Sequence, residues 1–200
     1  MIAYVDFPKA RIYRPFTAVR QVRGMLANAQ PPWDDFNARA GREGWAAVCD
    51  ASLTFDSAQL MDLLEIWRTA TGARQMPMRA DFTARALVRH LKDISFIERV
   101  ADGERPRRYL FRMIGRGQIR SGADGTGKFL DEIIAPPFIA SWNAAYDMAL
   151  DIAAPLRFVS NFRSLGLDYM TAESLVAPLG DAKGGPWGLL TSTVYGPRKA

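Results

Sequence analysis

The sequence predicts an α+β protein built on an antiparallel sheet, and three observations carry that expectation. Strand-like segments fall into two groups, at residues 94–115 and 155–195. Between them lies a helical stretch with Phe138, Trp142, Tyr146 and Leu150 stepping along one stripe. Before them comes a one-sided amphipathic helix, with Leu60, Leu63, Leu64 and Trp67 at i, i+3, i+4 and i+7. Two hairpin-like groups flanking a helical crossover describe α+β organisation rather than alternating βαβ units.

Each element has a local reason. Asp56 or Ser57 is an acceptable N-cap for the amphipathic helix, and Gly72 stops it. After a proline turn, a second short helix starts near Asp81 or Thr83 and runs to Lys92, with Leu87, Val88 and Leu91 facing inward. Residues 94–101 are rich in β-branched and aromatic side chains, and 102–106 supply turn chemistry. The partner strand, 107–115, alternates so that Tyr109, Phe111 and Met113 share one face while Arg108, Leu110 and Arg112 share the other. Gly115, Gly117, Gly122, Gly125 and Gly127 then lead to a short helical motif at FLDEII. Pro136 and Pro137 mark the start of the long helix. Three closing strands, at 155–164, 167–179 and 187–195, are separated by turns around Gly166 and at 180–186.

Residues 1–55 read as a partly ordered N-terminal extension, and 56–200 as the domain. Pro8, Pro15, Pro31 and Pro32, then Gly41 and Gly44, interrupt any periodicity in the first part. Arg11, Arg14, Arg20 and Arg23 make its start locally basic, and residues 17–26 have Val19, Val22 and Leu26 on one helical face. Trp33, Phe36 and Trp45 argue against complete disorder.

Composition bounds the partners. Hydrophobic residues are 48% and charged residues 24% of the 200, as in ordinary globular chains. No apolar run approaches the roughly 18 residues of a membrane span. Asp6 and Pro8 interrupt any basic-then-apolar leader, so a cytoplasmic, unprocessed protein without a membrane segment is expected. The single Cys49 excludes an intramolecular disulfide and a multi-cysteine metal site. The net charge of +5 raises nucleic acid as a partner. Against that, arginines are scattered and interspersed with Asp and Glu, which describes a solvated surface.

The strand and helix order, together with local wording, resembles a PAS domain, and in particular a bacterial family of small, often stand-alone PAS-like proteins. The residues that carry the resemblance are LEIWRTATG, MPMRADFTARALVRHL, RRYLFRMIGRGQI, DGTGKFLDEI and VAPLGD, spread over residues 57–195. The resemblance implies a five-stranded antiparallel sheet with a helical crossover, cupped around a space that binds a small molecule, or a module that contacts a partner protein. Tyr109, Phe111, Met113, Phe129, Trp142, Tyr146, Phe158 and Trp187 are the bulky residues placed to line that space or to fill it as core. The amphipathic helix would pack on a second subunit through Leu60, Leu64 and Trp67, making a homodimer. Only GPRKA follows Tyr195, so the output of such a sensor is expected to be a separate protein.

Other chemistries find less support. GADGTGKF has the glycine and lysine spacing of a phosphate-binding loop, but Phe129 stands where a Ser or Thr would hold magnesium, and no apolar strand precedes it. His90, the only histidine, lies on the short second helix rather than on the long helix where haem-binding PAS sensors carry their ligand. Cys49 falls outside the PAS-like part, which argues against a flavin adduct. Arg112, Arg116, Arg157 and Asn161 are candidates for holding an anion, although parity sets Arg112 opposite Tyr109. Asp131 and Glu132 are adjacent and so point about 100° apart on a helix, poor geometry for shared acid–base work. The expectation is a non-catalytic sensory or regulatory module, with a small-molecule enzyme or carrier on a similar cup as the alternative. Nucleic-acid contact through the basic arm is a further one.

Overall fold

The computed structural model of the chain describes residues 30–102, 105–118, 125–162 and 166–197. It is an α+β structure around a six-stranded, fully antiparallel sheet in the order β1-β4-β5-β6-β2-β3. Five strands were expected. The sixth, β1 (Ala47–Asp50), comes from the stretch read as an extension.

Residues 32–50 of that stretch are woven into the core. Helix α1 (Pro32–Glu43) begins on a proline, where a missing N–H costs no helical bond, carries Asp34 and Asp35 in its first turn, and ends on the left-handed Gly44. Trp33, Phe36 and Ala40 form its buried stripe. Strand β1 pairs with β4, Cys49 lying opposite Phe158. Its outer edge is closed by a side chain. Asn37 Nδ2 donates to the Cys49 carbonyl at 2.9 Å, and Asn37 Oδ1 accepts from the Cys49 N–H at 2.8 Å, as a neighbouring strand would. Residues 32–50 are thus part of the sheet layer, and Cys49 sits inside it. The basic segment with Arg11, Arg14, Arg20 and Arg23 lies outside the described residues.

Helix α2 (Ala58–Thr71) forms where its periodicity predicts, with the Ser57 hydroxyl accepting from the Leu60 N–H and Gly72 at its end. Helix α3 (Ala84–Leu87) is capped by Thr83 but stops after one turn, short of the expected Lys92. Of its three inward candidates only Leu87 is buried; Val88 and Leu91 are exposed.

Strands β2 (Ile94–Asp102) and β3 (Arg105–Ile114) form the expected hairpin with one correction. Phe96 pairs with Met113 but Ile97 pairs with Phe111, so Arg112 is an extra residue on β3. Such a bulge reverses the alternation beyond it. Met113 therefore joins Phe96 on the opposite face from Tyr109 and Phe111. Gly115 passes so close to the Lys92 carbonyl that a Cβ would collide with it, which gives one of the glycines in this passage a steric reason. Helices α4 (Leu130–Ile133) and α5 (Pro136–Asp151) form the crossover. Strands β4 (Leu156–Phe162), β5 (Leu167–Gly180) and β6 (Pro186–Pro197) complete the sheet.

Helices cover both faces. One core joins α1, α4 and α5 to Ile97, Tyr109, Phe111, Phe158 and Leu189; the other joins α2 and α3 to Ile94, Phe96, Leu175 and Leu190. Burial on both sides explains why residues 174–180 of β5 are buried without alternation. Pro178 is tolerated in this inner strand because β4 has already ended, its last pair being Leu156 with Val176.

Candidate functional site

The two faces dispose of the predicted site residues differently. Leu60, Leu64 and Trp67 are 0%, 3% and 0% exposed, turned into the chain's own core rather than outward. Trp67 Nε1 also donates to the Pro178 carbonyl at 2.8 Å. A helix face closed within one chain is not available to a second subunit, so the expected dimer contact is corrected. Met113 and Trp187 pack against this same α2-side core, on the far side of the sheet from the crossover.

Five of the remaining cup residues share the α5 face: Tyr109, Phe111, Trp142, Tyr146 and Phe158. Phe158 is fully buried, its ring 5.3 Å from that of Phe36 and 6.1 Å from that of Trp142, and acts as core. Tyr109 is 1% exposed and donates to Asp147 Oδ1 at 2.6 Å. Burial first, and then the hydrogen bond to Asp147, raise its phenol pKa far above the ordinary value. Phe129 stands apart at the sheet edge, half-buried beneath the Arg108 guanidinium, 3.7 Å from its ring centre.

Space remains under the N-terminal half of α5. Two adjoining cavities, of about 170 and about 90 Å³, open between the crossover and the sheet. They share Ile133, Ile134, Trp142, Thr193 and Tyr195 in their walls. Phe111, Trp142 and Tyr146 are the predicted residues that face the smaller one; of the eight, the larger one meets only Trp142. Burial pushes the Tyr146 phenol pKa well up, so its hydroxyl stays neutral.

The floor of these cavities is polar, and the sequence reading missed it. Strand alternation brings Ser95 of β2, Ser174 of β5, and Thr191, Thr193 and Tyr195 of β6 to the cavity side. Ser160 of β4 lines the larger cavity. The signal was present as Thr191, Thr193 and Tyr195 at i, i+2 and i+4, but only the register says which face they share. Some of these groups are already satisfied. The Ser174 and Thr193 hydroxyls lie 2.8 Å apart, and Ser141 donates to the Phe138 carbonyl at 2.9 Å. Gln118 binds the Thr193 backbone on both sides, donating at 3.0 Å and accepting at 3.2 Å, where β2 no longer reaches β6. Ser95 and Ser160 differ. They are 3% and 6% exposed, they line the cavities, and their hydroxyls have no hydrogen-bond partner among the described residues.

The charged candidates are committed elsewhere. Arg157 faces away from the cavities, donating to Asp50 and, at 2.6 Å, to Glu173, with Asp56 at 4.0 Å. Burial alone would lower its pKa, but the two carboxylates more than compensate and raise it. For Asp50, burial works upward, and hydrogen bonds from Ser52 and the Arg157 guanidinium overcome it to hold the carboxyl below its ordinary range. Glu173 also accepts from the Asp56 and Ser57 N–H groups at 2.9 Å, tying this cluster to the start of α2. Arg112 pairs with Glu98, and Asn161 lies near the Ala46 carbonyl; Arg116 is exposed. None of these four lines the cavities.

His90 is buried with Nε2 2.7 Å from Asp62 of α2, on the opposite face from the cavities. Asp131 accepts from Arg108 at 2.8 and 3.0 Å, and Glu132 from the Phe129 N–H at 2.6 Å, so the two carboxylates serve structure. Lys128 is exposed and Leu130 buried, while Gly122 lies outside the described residues. A shallower groove of about 390 Å³ lies outside the crossover, bounded by Arg107, Arg108, Asp131, Ile139 and Asn143. Arg108 is paired with Asp131 there, and Arg107 adds a second guanidinium. Among the described residues no group of three or more His, Cys, Asp or Glu side chains is placed to hold a metal, and no helix is long and apolar enough to cross a membrane. In comparisons with known proteins, no family model matches this chain, and neither does a curated protein or a solved structure.

Proposed function

We propose that the chain is a PAS-like, non-catalytic sensory or regulatory module that binds a small molecule between the sheet and the α4–α5 crossover. The observation that carries this reading is the double cavity itself, whose walls present the hydroxyl-bearing side chains of Ser95 and Thr191 in one part and Ser160 in the other. Hydroxyls open to such a space can each donate to or accept from a ligand or an ordered water. The element order supports the same reading: two strands, a helical crossover and three strands, which is the layout on which the resemblance rests.

The wall chemistry supports a non-catalytic role. Acid–base or covalent catalysis needs a titratable or strongly nucleophilic group at the ligand. Neither cavity is lined by a carboxylate, histidine, cysteine, lysine or arginine among the described residues; the hydroxyls there are those of Ser, Thr and Tyr, without an adjacent base to activate them, and burial keeps Tyr146 neutral. Signalling to a separate protein would run through α4 and α5, the elements that touch both ligand and surface.

Native mass spectrometry of freshly purified protein, with an absorbance scan of the same sample, tests the reading. A retained molecule, or one taken up stoichiometrically from a fragment library, is the expected result. Protein that stays empty across such a library at millimolar concentration would leave a protein-contact module in its place.

A further inference from the structure

We propose that the cleft selects an uncharged ligand: a flat apolar body the size of one six-membered ring, carrying a short neutral hydrogen-bonding substituent. The proposal rests on the reading of the cleft as a small-molecule site and adds the chemistry of what it takes.

Size comes first. An apolar cavity of about 150 Å³ in another protein is known to accept benzene. The larger cavity here, at about 170 Å³, is in that range and is walled by Phe138, Trp142, Phe162 and Ala172. The smaller, at about 90 Å³, holds a substituent of a few atoms but not a second ring. Aromatic walls favour a flat guest by stacking and edge contacts.

Charge comes next. No charged residue lines either cavity among the described residues, and the nearby guanidinium of Arg157 is neutralised on the opposite face of the sheet. An ion entering such a space loses its hydration without gaining a counter-ion, which binding energy from so small a body cannot offset. Hydroxyls are different. Ser95 and Thr191 in the smaller cavity can each donate to a carbonyl or accept from an N–H or O–H. They therefore serve a neutral amide, ketone or alcohol without preference for sign.

Benzamide, benzoate and benzamidine provide the test, because they share shape and size while carrying zero, negative and positive charge at pH 7. Binding is measured by calorimetry and by quenching of Trp142, with Trp142→Phe as the fluorescence control. The expected result is benzamide bound roughly tenfold or more tightly than either ion. Ser95→Ala should weaken benzamide about fivefold and leave toluene unchanged, since only the former uses the hydroxyl. Ala172→Leu, which fills the larger cavity, should abolish binding of both; its thermal midpoint reports whether it folds, and Ser95→Ala carries the test if it does not.

Benzoate or benzamidine binding as tightly as benzamide would overturn the charge assignment and leave the small-molecule site standing. If benzamide, toluene and a neutral fragment library all fail to bind, the small-molecule reading itself falls, and this inference with it.

Discussion

Beneath α2, the sheet presents Ile94, Phe96, Leu175, Ala177 and Leu190, and all of them join Leu60, Leu63, Leu64 and Trp67 in one cluster of residues no more than 5% exposed. Beneath the N-terminal half of α5, the same strands present Ser95, Ser174, Thr191 and Thr193, and two cavities remain. Neighbouring residues such as Ile94 and Ser95, or Ser174 and Leu175, thus serve opposite purposes on opposite faces. A sheet covered on both sides can devote one side to cohesion and leave part of the other imperfectly filled. The α2 face is closed by its own side chains; the α5 face keeps two cavities.

The largest effects should come from attacking the closed face. Trp67→Ala removes a fully buried indole and its hydrogen bond, and is expected to lower unfolding free energy by about 3–5 kcal/mol in urea titrations. A cost below about 1 kcal/mol would mean that this face is not the closed core described. Leu64→Asp should likewise destabilise the single chain by about 3 kcal/mol or more, with no dependence on protein concentration. A concentration-dependent loss would restore the helix as a subunit contact.

The Arg157 cluster is next. Arg157→Ala leaves Asp50 and Glu173 close together without their cation and should cost about 3 kcal/mol. Adding Glu173→Gln to that variant should recover part of the loss, and strict additivity in the double-mutant cycle would show that the two side chains do not act together.

On the cavity face the changes should be small. Ser95→Ala and Ser160→Ala, whose hydroxyls have no partner, are expected to fall within about 0.5 kcal/mol of the parent. Ser174→Ala, which leaves Thr193 without its hydroxyl partner, should cost about 1 kcal/mol. A larger loss at Ser95 than at Ser174 would contradict the assignment of which groups are free.

Acid and base sharpen the comparison least but most cleanly in sign. The folded-state pKa of Asp50 lies below the ordinary 3.8, so its contribution is present above that value and is lost as pH falls through the folded one. Asp50→Asn should therefore flatten the acid limb of the stability profile. Cys49 runs the other way. Burial foremost, helped by Asp50 and Asp34, pushes its thiol from 9.0 to about 12, so its contribution is complete below 9.0 and declines as pH rises toward about 12. At pH 8 native protein should resist iodoacetamide, and labelling should track unfolding. Rapid labelling of native protein would place Cys49 outside the sheet.

Local signals were the legible part. Ser57, Gly72, Thr83 and the prolines of α5 act through their own backbone geometry, and the apolar period of α2 needs only one face to be stated, whereas Pro31 and Pro32 read as breakers and in fact open α1. What escaped depended on partners far along the chain. Strand β1 is four residues long and has no independent strand signal; it exists because β4 offers an edge more than a hundred residues later, with Ser160 opposite Ala47. Met113 changed faces because of one extra residue, Arg112, whose bulge is defined only by the register against β2. Trp67 read as a subunit contact because an amphipathic helix announces that it must pack and does not say on what.

By itself, then, the sequence determined that this is an α+β chain, where α2 and α5 begin, and which stripe of each is apolar. Those follow from dihedral preference and periodicity, which are properties of neighbouring residues. Only the tertiary structure decided that six strands pair, that the amphipathic helix closes on its own sheet, and that Ser95 and Ser160 line adjoining cavities. Pairing register and helix docking set residues as remote as Ala47 and Ser160 opposite each other, and no local pattern encodes that pairing.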